Sequence, residues 1–98
     1  MVQGTTPTFV MTFPQGTDFS EISEMVFTLT QGRYIINKKD CEVEGRTVSV
    51  FLRQLETLRL DVGKAKIQLN WTYANGERAC SVIKEIDVDE NLLREVIT

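Results

Sequence analysis

The chain has 98 residues, of which 42% are hydrophobic and 26% charged, with a net charge of −3; this is the make-up of one folded globular domain and excludes a disordered or low-complexity chain. The negative balance and the scattered lysines and arginines exclude the attraction to phosphate on which most nucleic-acid binding rests. Histidine is absent, so the commonest general base, zinc ligand and triad member is missing, and most hydrolase mechanisms fall with it.

Residues 1–7 read as a polar lead-in without the basic start and apolar run of an export signal, which predicts a chain made in a reducing cytosol. Apolar runs reach only a few residues, against the ~20 that cross a bilayer, so no membrane partner is expected. Phe9, Met11 and Phe13 alternate with Val10 and Thr12 as a first strand, ended by Pro14 and Gly16. Asp18 to Ser23 suits a helical turn, with Asp18 as N-cap and Glu21 completing a capping box. A second strand runs from Glu24 to Gln31, with Met25, Phe27 and Leu29 on one face. The third, Arg33 to Lys38, carries Tyr34, Ile35 and Ile36 and is expected to be covered on both sides.

Cys41 to Glu44 and Thr47 to Leu52 form strands four and five around Gly45. From Arg53 to Val62 the spacing of Leu52, Leu55 and Leu58 changes to helical. Asn75-Gly76 is the preferred pair for a two-residue type I′ hairpin joining segments 65–74 and 77–86. That loop pairs Trp71 with Cys80, Leu69 with Val82, Ile67 with Lys84 and Ala65 with Ile86, leaving Gln68, Asn70, Thr72, Ser81 and Glu85 on a wet face. Asp89 to Thr98 has apolar residues at helical spacing and reads as a short helix or tail capped by Asp89. Its stripe of Leu92, Leu93, Val96 and Ile97 is the candidate protein-contact surface, packing on this domain or on a neighbouring subunit. The whole chain, 1–98, is expected to be one all-β domain, an antiparallel immunoglobulin-like sandwich of about seven strands.

Several constellations have plainer readings than the chemistry they suggest. Cys80 opposite Trp71 is a buried structural thiol, and Cys41 between Asp40 and Glu42 is made unreactive by like charge. Asp87, Asp89 and Asn91 begin like a calcium loop, but Leu92 and Thr98 stand where its glycine and glutamate belong. Asn70-Trp71-Thr72 has the form of a glycosylation site but lies inside a strand. Glu42 and Glu44 share one face of a short strand and read as edge charges that block unwanted pairing. Trp71 and Tyr73 have the spacing of a glycan platform, against which core packing is the better account of Trp71. No catalytic residue, metal site or cofactor is expected.

The segments Gln3-Gly4-Thr5-Thr6-Pro7-Thr8-Phe9, Glu42-Val43-Glu44-Gly45, Thr47-Val48-Ser49-Val50, Leu55-Glu56-Thr57-Leu58, Gln68-Leu69-Asn70-Trp71 and Asn91-Leu92-Leu93 carry a resemblance over nearly the whole chain. The sequence resembles small proteins encoded in prophages of gut Firmicutes, and more distantly the N-terminal domain of phage upper-baseplate proteins. That resemblance implies a non-enzymatic tail- or baseplate-associated module, made in the bacterial host cytoplasm and carried on the virion. Its partners would be other phage structural proteins and further copies of itself. The alternative is a carbohydrate- or host-surface-binding module using Trp71 and Tyr73.

Overall fold

Period-two burial organises the chain into two antiparallel sheets that share one core. The computed structural model describes residues 1–98, with strands β1 (Thr8–Thr12), β2 (Ile22–Gln31), β3 (Tyr34–Lys38), β4 (Glu42–Glu44), β5 (Thr47–Phe51), β6 (Gly63–Tyr73), β7 (Arg78–Cys80) and β8 (Lys84–Val88), and one helix, α1 (Gln54–Leu58). The smaller sheet has the order β1-β5-β4 and the larger β3-β2-β6-β7, with β8 also paired to β6. Both β7 and β8 lie along the edge of β6 that β2 does not use, so they fill one strand position between them.

The inward residues of β6 are Ala65, Ile67, Leu69 and Trp71, all buried, and β2 matches them with Met25, Phe27 and Leu29. Val48 and Val50 of β5 face them from the smaller sheet. Full burial of side chains such as Phe27, Leu29 and Leu69 contributes about 1.5–3 kcal/mol each. The sheets are locked across the interior by Phe9 of β1 stacked on Phe27 of β2, ring centroids 5.6 Å apart. Further along, Phe13, Phe19 and Trp71 meet edge to face at 5.2–5.6 Å, a geometry that adds about 0.5–1.5 kcal/mol per pair.

Three local expectations change ahead of the hairpin. The segment Asp18 to Ser23 is not a helical turn: Asp18 Oδ1 accepts the Ser20 N–H at 2.9 Å, an Asx turn that holds the exposed Asp18 carboxyl below its ordinary value and leaves Phe19 to fill the core. Ile35 of β3 is exposed, because β3 is the outer strand of its sheet and only its inner face is covered. In α1, Leu55 turns outward and Thr57 is buried instead, its hydroxyl donating to the Thr5 carbonyl at 2.7 Å. Glu56 anchors this turn by accepting from Arg53 N–H and from the buried Lys38 ammonium, each at 2.9 Å, while Tyr34 donates to the Glu56 carbonyl at 2.8 Å. The helix therefore follows β5 of one sheet and is tied to β3 of the other.

The hairpin differs most. Asn75 keeps a negative φ and Gly76 alone has φ +89°, so the loop is Ala74-Asn75-Gly76, closed by Gly76 N–H to Tyr73 O and Tyr73 N–H to Glu77 O, both 2.9 Å. Three residues rather than two shift the register by one, pairing Asn70 with Cys80 and Trp71 with Ala79. Cys80 therefore points away from the core and is exposed, contrary to the expected buried thiol. Beyond it, Ser81 N–H donates to Leu69 O and Leu69 N–H to Ser81 Oγ, both 2.9 Å, and the extra residue taken up between Ser81 and Lys84 restores the expected pairs Ile67–Lys84 and Ala65–Ile86. Leu69 thus faces Ser81, and Val82 is expelled to 75% exposure.

The termini are also unlike the expectation. Residues 1–3 lie beside the end of β8, with Gln3 N–H to Asp89 O at 3.0 Å and Asp89 N–H to Met1 O at 2.7 Å. Gln3 is buried, donates through its amide to the Leu60 carbonyl and accepts the Asn91 N–H at 3.3 Å. The neighbouring turn brings Gly4 so close to Leu58 that a Cβ there would lie 2.8 Å from it, at a φ of +74° that favours glycine. Asp89 to Thr98 forms no helix: its backbone groups bond instead to Gln3 and to Gln54, whose side chain takes both the N–H and the C=O of Ile97 at 2.9 Å.

Gln3→Ala is expected to lower unfolding stability by about 1–3 kcal/mol, since it strands a buried carbonyl, while the exposed Gln15→Ala stays within about 0.5 kcal/mol; urea titration of both variants measures the difference.

Candidate functional site at an open edge of the sheets

The smaller sheet has three strands and the larger four positions, and the mismatch leaves one side uncovered. Phe9 over Phe27 and Phe13 over Trp71 set β1 above β2 and β6, so nothing of the smaller sheet lies above β7 and β8. The result is a groove of about 420 Å³ between β1 and β7/β8, rimmed by Val10, Val82 and Cys80, floored by Ile67 and Trp71, and carrying Lys84.

Backbone groups are free on both rims. The bonds Phe13 N–H to Arg46 O and Leu52 N–H to Pro7 O fix which residues of β1 face β5, namely Pro7, Phe9, Met11 and Phe13. Thr8, Val10 and Thr12 therefore turn their N–H and C=O to the open edge. By the same alternation, Arg78 and Cys80 of β7 turn theirs outward. The two free edges of the smaller sheet are finished differently. β4 carries Glu42 and Glu44, exposed at the sheet margin, whereas β1 carries no charge and is only bracketed by Pro7 and Pro14.

Lys84 lies opposite the inward-facing Ile67, so it belongs to the inner face of the larger sheet. It is exposed there and makes no salt bridge, in contrast to Lys64, which donates to Asp87 on the outer face. That exposed outer pair holds Asp87 below its ordinary carboxylate value, through the Lys64 hydrogen bond first and its charge second. Lys84, Val10 and Val82 were not singled out from the sequence, because their importance depends on which strand position is uncovered. The one available signal was a β1 segment flanked by prolines and free of charge.

The residues that were singled out do not converge. Trp71 is 7% exposed, wrapped by Phe13 and Phe19, and Tyr73 beside the hairpin loop is half-buried, so the two do not form an open aromatic platform. The Trp71 indole N–H is buried without a partner; that costs about 1–3 kcal/mol, less than the ~4–6 kcal/mol contributed by removing a ring of ~150–250 Å² from water. Leu92, Leu93, Val96 and Ile97 all remain exposed on the irregular tail, Leu92 at 93%. Comparison with family models, with curated proteins and with solved structures finds no match for this chain.

Cys41 is half-buried and donates to the Lys38 carbonyl at 3.5 Å. Burial is the main cause that pushes its thiol above the ordinary value, opposed by the Phe27 backbone hydrogen bond; Asp40 adds to the rise and Lys38 subtracts from it. A thiol reagent is expected to modify Cys80 about tenfold faster than Cys41. Cys80→Ser should remove the fast phase and Cys41→Ser the slow one, read by absorbance under native conditions.

Proposed function

We propose that the chain is a non-enzymatic structural module of a phage tail or baseplate that acts through protein–protein contacts. The observation that carries this reading is the uncovered edge: free backbone groups along β1 and β7 beside an apolar groove, with exposed apolar side chains on the tail. Such edges serve strand pairing and packing against other chains. The absence of histidine and the placement of the carboxylates, all exposed except Glu56, which is taken up by Lys38 and the Arg53 N–H, argue in the same direction, as does the resemblance to prophage-encoded proteins. An immunoglobulin-like assignment belongs to the same proposal. It is supported by the orders β1-β5-β4 and β3-β2-β6-β7/β8, which correspond to strands B-E-D and C′-C-F-G of that architecture. The carbohydrate alternative has less support, since Trp71 offers no open ring face.

Mass spectrometry of purified particles from an induced lysogen is expected to detect the protein at a fixed ratio to the tail proteins. Absence from particles, with the protein abundant in the lysate, would count decisively against the assignment.

A further inference from the structure

We infer that the chain self-associates by strand addition, the C-terminal segment Leu92–Thr98 of one copy adding to the open edge of β1 in a second. Three observations lead there independently of the phage reading. First, the smaller sheet is one strand short of covering the larger, and the position left open is the one beside β1, above β7 and β8. A single extended segment at ordinary strand spacing fills it. Thr8, Val10 and Thr12 present backbone donors and acceptors there, which only another backbone satisfies as a row.

Second, the floor specifies the side chains of the occupant. It is apolar at Ile67 and Trp71, with Val82 on the rim beside them, and has one charge, the inward-facing Lys84, which has no acidic partner. An occupant needs apolar residues flanking one carboxylate on the same face, two residues apart along a strand. In the tail, Leu93, Glu95 and Ile97 have that pattern: as an extended strand they share a face, with the carboxylate between two aliphatic side chains. No salt bridge engages Glu95 within its own copy.

Third, the tail is poorly invested where it lies. Its four large apolar residues are exposed, and beyond Leu93 only the two bonds from Gln54 to Ile97 hold the backbone. Those same anchors, with Asn91 fixed to Gln3, keep the tail at the α1 end of its own molecule. Transfer to a second copy exchanges two surface hydrogen bonds for a strand ladder and for burial of Leu93 and Ile97.

Charge reversal in the full-length protein tests this, because Lys84 and Glu95 are both exposed and neither supports the core. Sedimentation of the unmodified chain over rising concentration is expected to show reversible association. Lys84→Glu and Glu95→Lys each weaken it by about tenfold or more, and the double reversal Lys84→Glu with Glu95→Lys restores it. A monomer throughout, an association that neither single reversal weakens, or a double variant no stronger than the singles overturns the inference.

Discussion

The alternation of Ala65, Ile67, Leu69 and Trp71 along β6 is the constraint on which both sheets depend. β6 is paired on one edge to β2 and on the other to β7 and β8, so its parity sets theirs. A slip of one residue would carry all four buried side chains to the solvent face and put Lys64, Lys66, Gln68 and Asn70 in their place. At about 1.5–3 kcal/mol for each large side chain, such a slip would cost about as much as the whole net stability of a small domain. The smaller sheet has no comparable authority. β1 and β5 contribute Phe9, Met11, Val48 and Val50, and their position is set by which rings of the larger sheet they meet.

Where the chain departs from strict alternation, the departure is local and has a chemical cause. The three-residue loop at Ala74-Asn75-Gly76 puts β7 one residue out of step with the far end of the hairpin. Ser81 absorbs the mismatch because its hydroxyl can accept the Leu69 N–H that a backbone carbonyl would normally take, and can then donate to the Val82 carbonyl at 3.0 Å. No buried backbone donor is left stranded at Leu69, which is why an extra residue is tolerated in the middle of a strand position.

The legible parts of the fold were those written as periodicity. The inward sets of β2 and β6, and the pairs Ala65–Ile86 and Ile67–Lys84, follow from apolar residues at every second position. The near half of the hairpin did not follow, because Asn-Gly supports both two-residue and three-residue loops and the choice rests on a single φ at Asn75. Gln3 was invisible for a different reason. One polar residue among several in an aperiodic lead-in gives no sign that it will meet the Leu60 carbonyl and the Asn91 N–H. The tail misled through spacing: Leu92, Leu93, Val96 and Ile97 recur as in a helix, yet so short a helix is marginal alone, and Gln3 and Gln54 offer its backbone other partners. Of the candidate site only the charge-free β1 segment between Pro7 and Pro14 was legible, since the groove itself arises from three strands facing four positions.

The irregularity at Ser81 also decides the chemistry of the open side. On β7 the even-numbered residues face outward, as Cys80 does; past the extra residue, the even-numbered residues of β8 face inward, so Val88 and Ile86 line the core and Lys84 continues the same row. The far end of that row is not covered by the smaller sheet, which is what allows an ammonium group to stand on an inner face without the cost of burial. Without the extra residue, Lys84 would lie among the outer polar residues opposite Lys66, Val82 would join them opposite Gln68, and Ile83 would enter the inner row opposite Ile67. One inserted residue thus puts Ile86 and Val88 over the core in place of Glu85 and Asp87, and fixes where along the open edge the single positive charge of Lys84 stands.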